Sequence, residues 1–184
     1  MDAKLLKENA KCIKSVAMLF AITGIVFSVF KMIPSFLSSV SWYATLAAMV
    51  LIVGLVYAFN LFDKFAKAVQ EDEVKAFKQF KLAAILFFSA LAVANLPFIG
   101  GYFAAICVIV AAVFMMLAAK ALKANQPEFK LIFIAAIIGI VAGVFELIGA
   151  IPVIGIVFNI IGRLADVAVF VLILIAGIKF GKAA

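Results

Sequence analysis

Residues 82–119 read LAAILFFSALAVANLPFIGGYFAAICVIVAAVFMMLAA, a run without a single charged side chain. As one α-helix it would be roughly 57 Å long, nearly twice the ~30 Å hydrocarbon core of a bilayer. A run of that length and character has to fold back on itself. Asn95-Leu96-Pro97-Phe98-Ile99-Gly100-Gly101 supplies the turn, with a proline that cannot continue a helix and two adjacent glycines. The stretch therefore reads as a hairpin of two membrane helices, 82–96 and 102–119.

The same logic extends in both directions. Leu131–Gly149 and Gly155–Ile178 form a second apolar pair around Ala150-Ile151-Pro152, and Gly155 opens the last helix. Upstream, Ile13–Phe30 and Trp42–Phe62 are separated by Lys31–Ser41, with Pro34 at the turn. The expected spans are thus 13–30, 42–62, 82–96, 102–119, 131–149 and 155–178. They predict an all-α integral membrane protein, a bundle of about six transmembrane helices arranged as three hairpins in a single polytopic domain, 1–184. The first apolar run is longer than the core of a secretion signal, and Lys31-Met32-Ile33-Pro34 follows it where a small-residue cleavage site would stand. It reads as a retained span.

Composition points the same way. Apolar residues make up 69% of the chain and charged residues 14%, with a mean hydropathy of +1.34. Soluble domains use about 45–50% apolar residues, and this chain has too few polar side chains to cover a water-exposed surface. The net charge of +7 would suggest nucleic acid in a soluble protein, but its distribution has a simpler meaning. Lysines cluster at positions 4–14, 64–81, 120–130 and 179–182, and the alternate connections carry only Lys31. Lys and Arg accumulate in short cytoplasmic loops, so both termini are expected on the cytoplasmic side of the inner membrane, and no nucleic acid is expected as a partner. Lys outnumbers Arg fifteen to one, which points to an AT-rich prokaryotic genome.

The connection 63–81 interleaves Phe65, Val69, Val74, Phe77 and Phe80 with Lys64, Lys67, Lys75, Lys78 and Lys81. It reads as a cytoplasmic amphipathic segment, with helical extensions of the flanking spans, suited to anionic lipid headgroups.

Two hairpins resemble each other. Phe80-Lys81-Leu82 precedes one and Phe129-Lys130-Leu131 the other, and their turns share Pro-x-Ile-Gly-x-x-Phe: Pro97, Ile99, Gly100 and Phe103 against Pro152, Ile154, Gly155 and Phe158. The pattern predicts that the second and third hairpins are repeats of a helix–turn–helix unit. Gly139-x-x-x-Gly143 in the fifth span permits close helix packing.

Residues able to carry chemistry are few. The chain has no histidine, which excludes histidine-ligated haem or zinc and histidine-based nucleophilic catalysis within it. Cys12 and Cys107 stand far apart and form no ligand pair, so no metal or cofactor is expected. Two intramembrane aspartates, as aspartyl proteolysis needs, are absent, since the spans hold only Asp166. Ser28 and Ser89 have no ionisable neighbour in sequence. An enzyme is not expected.

One polar constellation remains. Glu146 lies in the fifth span, while Asn159, Arg163 and Asp166 lie in the sixth at i, i+4 and i+7, on one helix face. Measured from the turn at Pro152, Glu146 and Asn159 lie about 9–10 Å in, Arg163 about 16 Å and Asp166 about 21 Å. Charges at such depth cost about 2.5–3.5 kcal/mol each and persist when paired or when function requires them. Aligning the two hairpins sets Leu91, Ala104, Val108 and Ala111 against Glu146, Asn159, Arg163 and Asp166. The fold itself therefore does not demand polar groups there. Two carboxylates against one guanidinium leave an excess negative charge to be met by a proton, a cation or a partner's base.

Two function classes follow. Phe-rich, nearly uniformly apolar helices favour a non-enzymatic scaffold or accessory subunit, packed against copies of itself or within a larger membrane complex. The confined polar cluster favours the alternative, a small transporter or channel moving protons or a small ion or solute past Glu146, Arg163 and Asp166.

Overall fold

The computed structural model describes residues 71–93, 99–122, 128–151 and 155–183, together with part of the stretch from Lys14 to Val29. The expected span 42–62, the turn residues Pro34, Pro97 and Pro152, and Lys64 and Lys67 lie outside the described residues. Those described are helical apart from short turns, with no strand among them. Four helices follow one another: α1 (Glu71–Val93), α2 (Gly100–Leu122), α3 (Phe129–Gly149) and α4 (Gly155–Ala183). The described residues between Lys14 and Val29 are helical as well.

Three helices are long and apolar enough to cross a membrane: Gly100–Leu122 with 23 residues, Phe129–Gly149 with 21 and Gly155–Lys179 with 25. At 1.5 Å per residue they measure about 35, 31 and 37 Å, matched to a ~30 Å core. The chain is a membrane protein on this ground. Helix α1 begins at Glu71 and ends at Val93, so residues 71–81 form the helical extension expected of the span 82–96 into the charged connection. A buried stripe carries the helix through. Ala76, Ala83, Ala84 and Ala90 are buried, and Phe80 and Phe87 are half-buried, on one continuous stripe at helical spacing.

The α3–α4 turn is tight. Ala150 N donates to Glu146 O at 3.0 Å, and Gly155 N donates to Ile151 O at 3.0 Å. Gly155 is required there, since a Cβ would collide with the Gly149 carbonyl oxygen.

Each helix packs antiparallel against the next in sequence, and small residues make the contacts. Ala104, Ala105, Ala111 and Ala112 on α2, and Ala135, Ala136 and Ala142 on α3, are buried. Lipid gives apolar helices no hydrophobic reason to associate, so close backbone approach and dispersion supply the attraction. Larger rings fill the remaining gaps. Phe80 stacks on Phe129 with centroids 5.9 Å apart, over Ala76, Ala118 and Leu122. Phe170 is buried against Phe87, edge-on with centroids 5.1 Å apart, and its ring also lies where a side chain on Gly24 would stand. Ala17 and Gly177 are likewise in close apposition, so the stretch near the N-terminus packs along α4. Outward, Ile134, Ile137, Val141 and Val144 form an exposed stripe on α3, suited to acyl chains.

Candidate functional site

Glu146 stands one turn before the end of α3, and antiparallel α4 passes beside it. What lets the two helices meet here is Gly162. A Cβ on Gly162 would lie 2.9 Å from Glu146 Cγ and 3.2 Å from the Ala142 carbonyl oxygen. The Glu146 side chain occupies that space and reaches Arg163, whose Nη1 is 2.6 Å from Glu146 Oε1. The same nitrogen donates a hydrogen bond to Asp166 Oδ2 at 3.3 Å, across i,i+3 on α4. Two carboxylates thus converge on one guanidinium nitrogen.

The cluster is enclosed. Glu146 is 7% exposed and Asp166 4%, and the Arg163 side chain is 14% exposed. Within low dielectric such an arrangement stands or falls as a unit, because an ion stripped of its partner keeps its desolvation penalty. The pairing does not saturate the groups. Glu146 Oε1 lies close to Nη1 but accepts no well-aligned hydrogen bond, and Arg163 Nε has no hydrogen-bond partner among the described residues. The charges do not balance either.

Asn159 does not join the cluster. It shares the helix face of Arg163 and Asp166 by spacing, yet it is exposed. One turn from the start of α4 it lies level with the last residue of α3, and its backbone abuts Gly149, so no further turn of α3 covers the side chain. The other residues singled out in the sequence have packing positions. Gly139 and Gly143 face α2, where a Cβ on Gly143 would lie 2.5 Å from Ile109 Cγ1 and 3.3 Å from Ile109 N. Gly100 and Gly155 are the first residues of α2 and α4. Of the serines, Ser28 is buried and Ser89 exposed, and Cys107 is a half-buried free thiol. The described residues contain no group of three or more His, Cys, Asp or Glu placed to hold a metal.

Two contributors escape a reading of the sequence. Gly162 is one, and its signal is a glycine directly preceding a charged residue inside an apolar helix. Tyr102 is the other. Its hydroxyl donates to the Ala150 carbonyl at 3.1 Å, which ties the start of α2 to the end of α3 at one end of the bundle. Tyrosine is enriched at membrane interfaces, where its ring is apolar and its hydroxyl wet.

No protein-family model, curated protein or solved structure shows significant similarity to this chain.

Proposed function

We propose that the protein is a non-enzymatic scaffold or accessory subunit of a membrane complex, a multi-pass protein of the cytoplasmic membrane with six spans and both termini in the cytoplasm. The observation that carries this reading is the closure of the Glu146–Arg163–Asp166 cluster. Its charges meet one another between α3 and α4, while Asn159, the polar residue that would extend it toward the turn, stands outside. A cluster closed in this way holds two helices in register and frees their outer apolar faces for copies of the chain or for other subunits.

The proposal includes the repeat. Helices α2 and α4 each begin at the glycine of Pro-x-Ile-Gly, and the Tyr102–Ala150 bond ties the start of α2 to the residue that follows α3, as related hairpins side by side would require. Transport of a proton or small ion is the second reading, favoured by two acids sharing one guanidinium.

One experiment separates them. The protein is extracted in mild detergent, its mass is measured by light scattering, and ion flux is followed after reconstitution into liposomes. The scaffold reading expects a stoichiometric assembly and no flux. A lone monomer whose flux is lost on Asp166→Asn would replace it with transport.

A further inference from the structure

Lysines from all four helices are gathered at one end of the folded bundle. The Phe80–Phe129 stack fixes the level. Lys78 lies two residues before Phe80, with Lys75 almost one turn further out on α1. Lys130 directly follows Phe129, and Lys120 sits between Ala119 and Leu122, which is buried beneath the same stack. On α4, Gly177 packs against Ala17, and Lys179 and Lys182 project beyond it. All six of these lysines are exposed, and so is Lys14, which precedes Ala17. Lys81 is half-buried with an interaction of its own and is not counted with them. The acids at this end among the described residues are Glu128, half-exposed, and by position Glu71, Asp72 and Glu73 at the start of α1, so the seven exposed lysines outnumber them. Among the described residues at the opposite end no exposed side chain is charged: Ile99, Tyr102, Phe103, Ile151, Ile156 and Asn159 are exposed there.

We propose that this end is a collar that binds the anionic phospholipid headgroups of one leaflet. The position of the lysines relative to the lipid-facing surface selects this occupant. Exposed Leu82, Leu117, Ile134 and Ile178 lie within about one turn of Lys78, Lys120, Lys130 and Lys179. A lysine so close to the apolar belt lays its methylenes along it and lifts its ammonium to the phosphate level. Lys120 and Lys130 form an inner tier there. Lys75 and Lys182, further along their helices, form an outer tier facing the headgroups from above. The collar rests only on the helices lying in a bilayer and is independent of whether the protein scaffolds or transports.

The test compares lipid retention by native mass spectrometry. Full-length protein is placed in mixed micelles containing equal phosphatidylglycerol and phosphatidylcholine, alone or with inorganic phosphate. Each lysine near an anionic surface contributes about a fivefold preference at low ionic strength, and salt screens it. Phosphatidylglycerol is expected to be retained more than about tenfold over phosphatidylcholine at low salt, with the preference collapsing at high salt. K120Q/K130Q/K179Q/K182Q should remove most of that preference while helical circular dichroism is unchanged, and Tyr102→Phe at the far end should leave it intact. Equal retention of the two lipids, an unaffected quadruple variant, or displacement of the lipid by inorganic phosphate would each overturn the collar. A lone monomer by light scattering would overturn the scaffold and leave the collar standing.

Discussion

Replacing Arg163 with methionine removes the guanidinium on which Glu146 and Asp166 converge, while keeping a side chain of similar length on α4. Both acids are more than nine-tenths buried, so neither gains water when the cation goes, and both face each other without it. Breaking a buried pair by removing one partner costs about 3–5 kcal/mol, because the stranded charge keeps its desolvation penalty. Arg163→Met should therefore lower the unfolding free energy by about that amount. The combination Glu146→Met, Arg163→Met and Asp166→Leu strands nothing and should fall within about 1 kcal/mol of the parent, since replacing a whole buried ion cluster by apolar groups is often neutral or better. The measurement is reversible unfolding in mixed micelles of increasing sodium dodecyl sulfate fraction, followed by circular dichroism. A single variant as stable as the parent, or a triple variant as unstable as the single one, would refute the reasoning. Scoring the triple variant for its role in cells adds a separate result. If it folds and the assembly persists, the cluster serves as a clamp, whereas loss of ion flux with the fold intact identifies a conducting role.

Gly143→Val places atoms against Ile109, whose backbone N lies 3.3 Å from the site of the new Cβ, and should cost about 1–3 kcal/mol in the same assay. Gly162→Ala sets a methyl 2.9 Å from Glu146 Cγ; it should separate Glu146 from Arg163 and destabilise the parent more than the triple apolar variant, and equal effects in both backgrounds would argue against that coupling. Tyr102→Phe loses an exposed hydrogen bond and should cost no more than about 0.5–1.5 kcal/mol, read as a small shift in thermal unfolding. In a cysteine-free background, single cysteines at Lys75 and Lys123 should react with an impermeant thiol reagent only from the cytoplasm and those at Pro97 and Pro152 only from outside; labelling of positions 75 and 97 from one side would refute the six-span topology.

The membrane character of the chain and the location of three spanning helices were legible in the sequence, because they depend on local quantities. Length per span is set by bilayer thickness, and a charge-free run such as 82–119 admits no soluble reading. The pairing of Glu146, Arg163 and Asp166 was partly legible for the same reason, since spacing along one helix places Arg163 beside Asp166 and the cost of burial demands a partner. That helix α1 extends into the connection 63–81 was legible too, but not what holds the extension in place. Its polar first half is held by a buried alanine and phenylalanine stripe whose partners, Leu122 and Phe129, lie on other helices. Asn159 shows the limit most clearly. By periodicity it belongs with Arg163 and Asp166, but α3 ends level with it, and only the height at which two antiparallel helices cross decides which turn is covered. Gly162 and Tyr102 act through residues on another helix or turn, Glu146 and Ala150, and no pattern within a single helix encodes that meeting. The sequence by itself thus determined the solvent this protein lives in and the lengths of three spanning helices, through transfer energies that each segment carries alone. The tertiary structure decided which charges meet and which lysines share one end, because those depend on the register between helices.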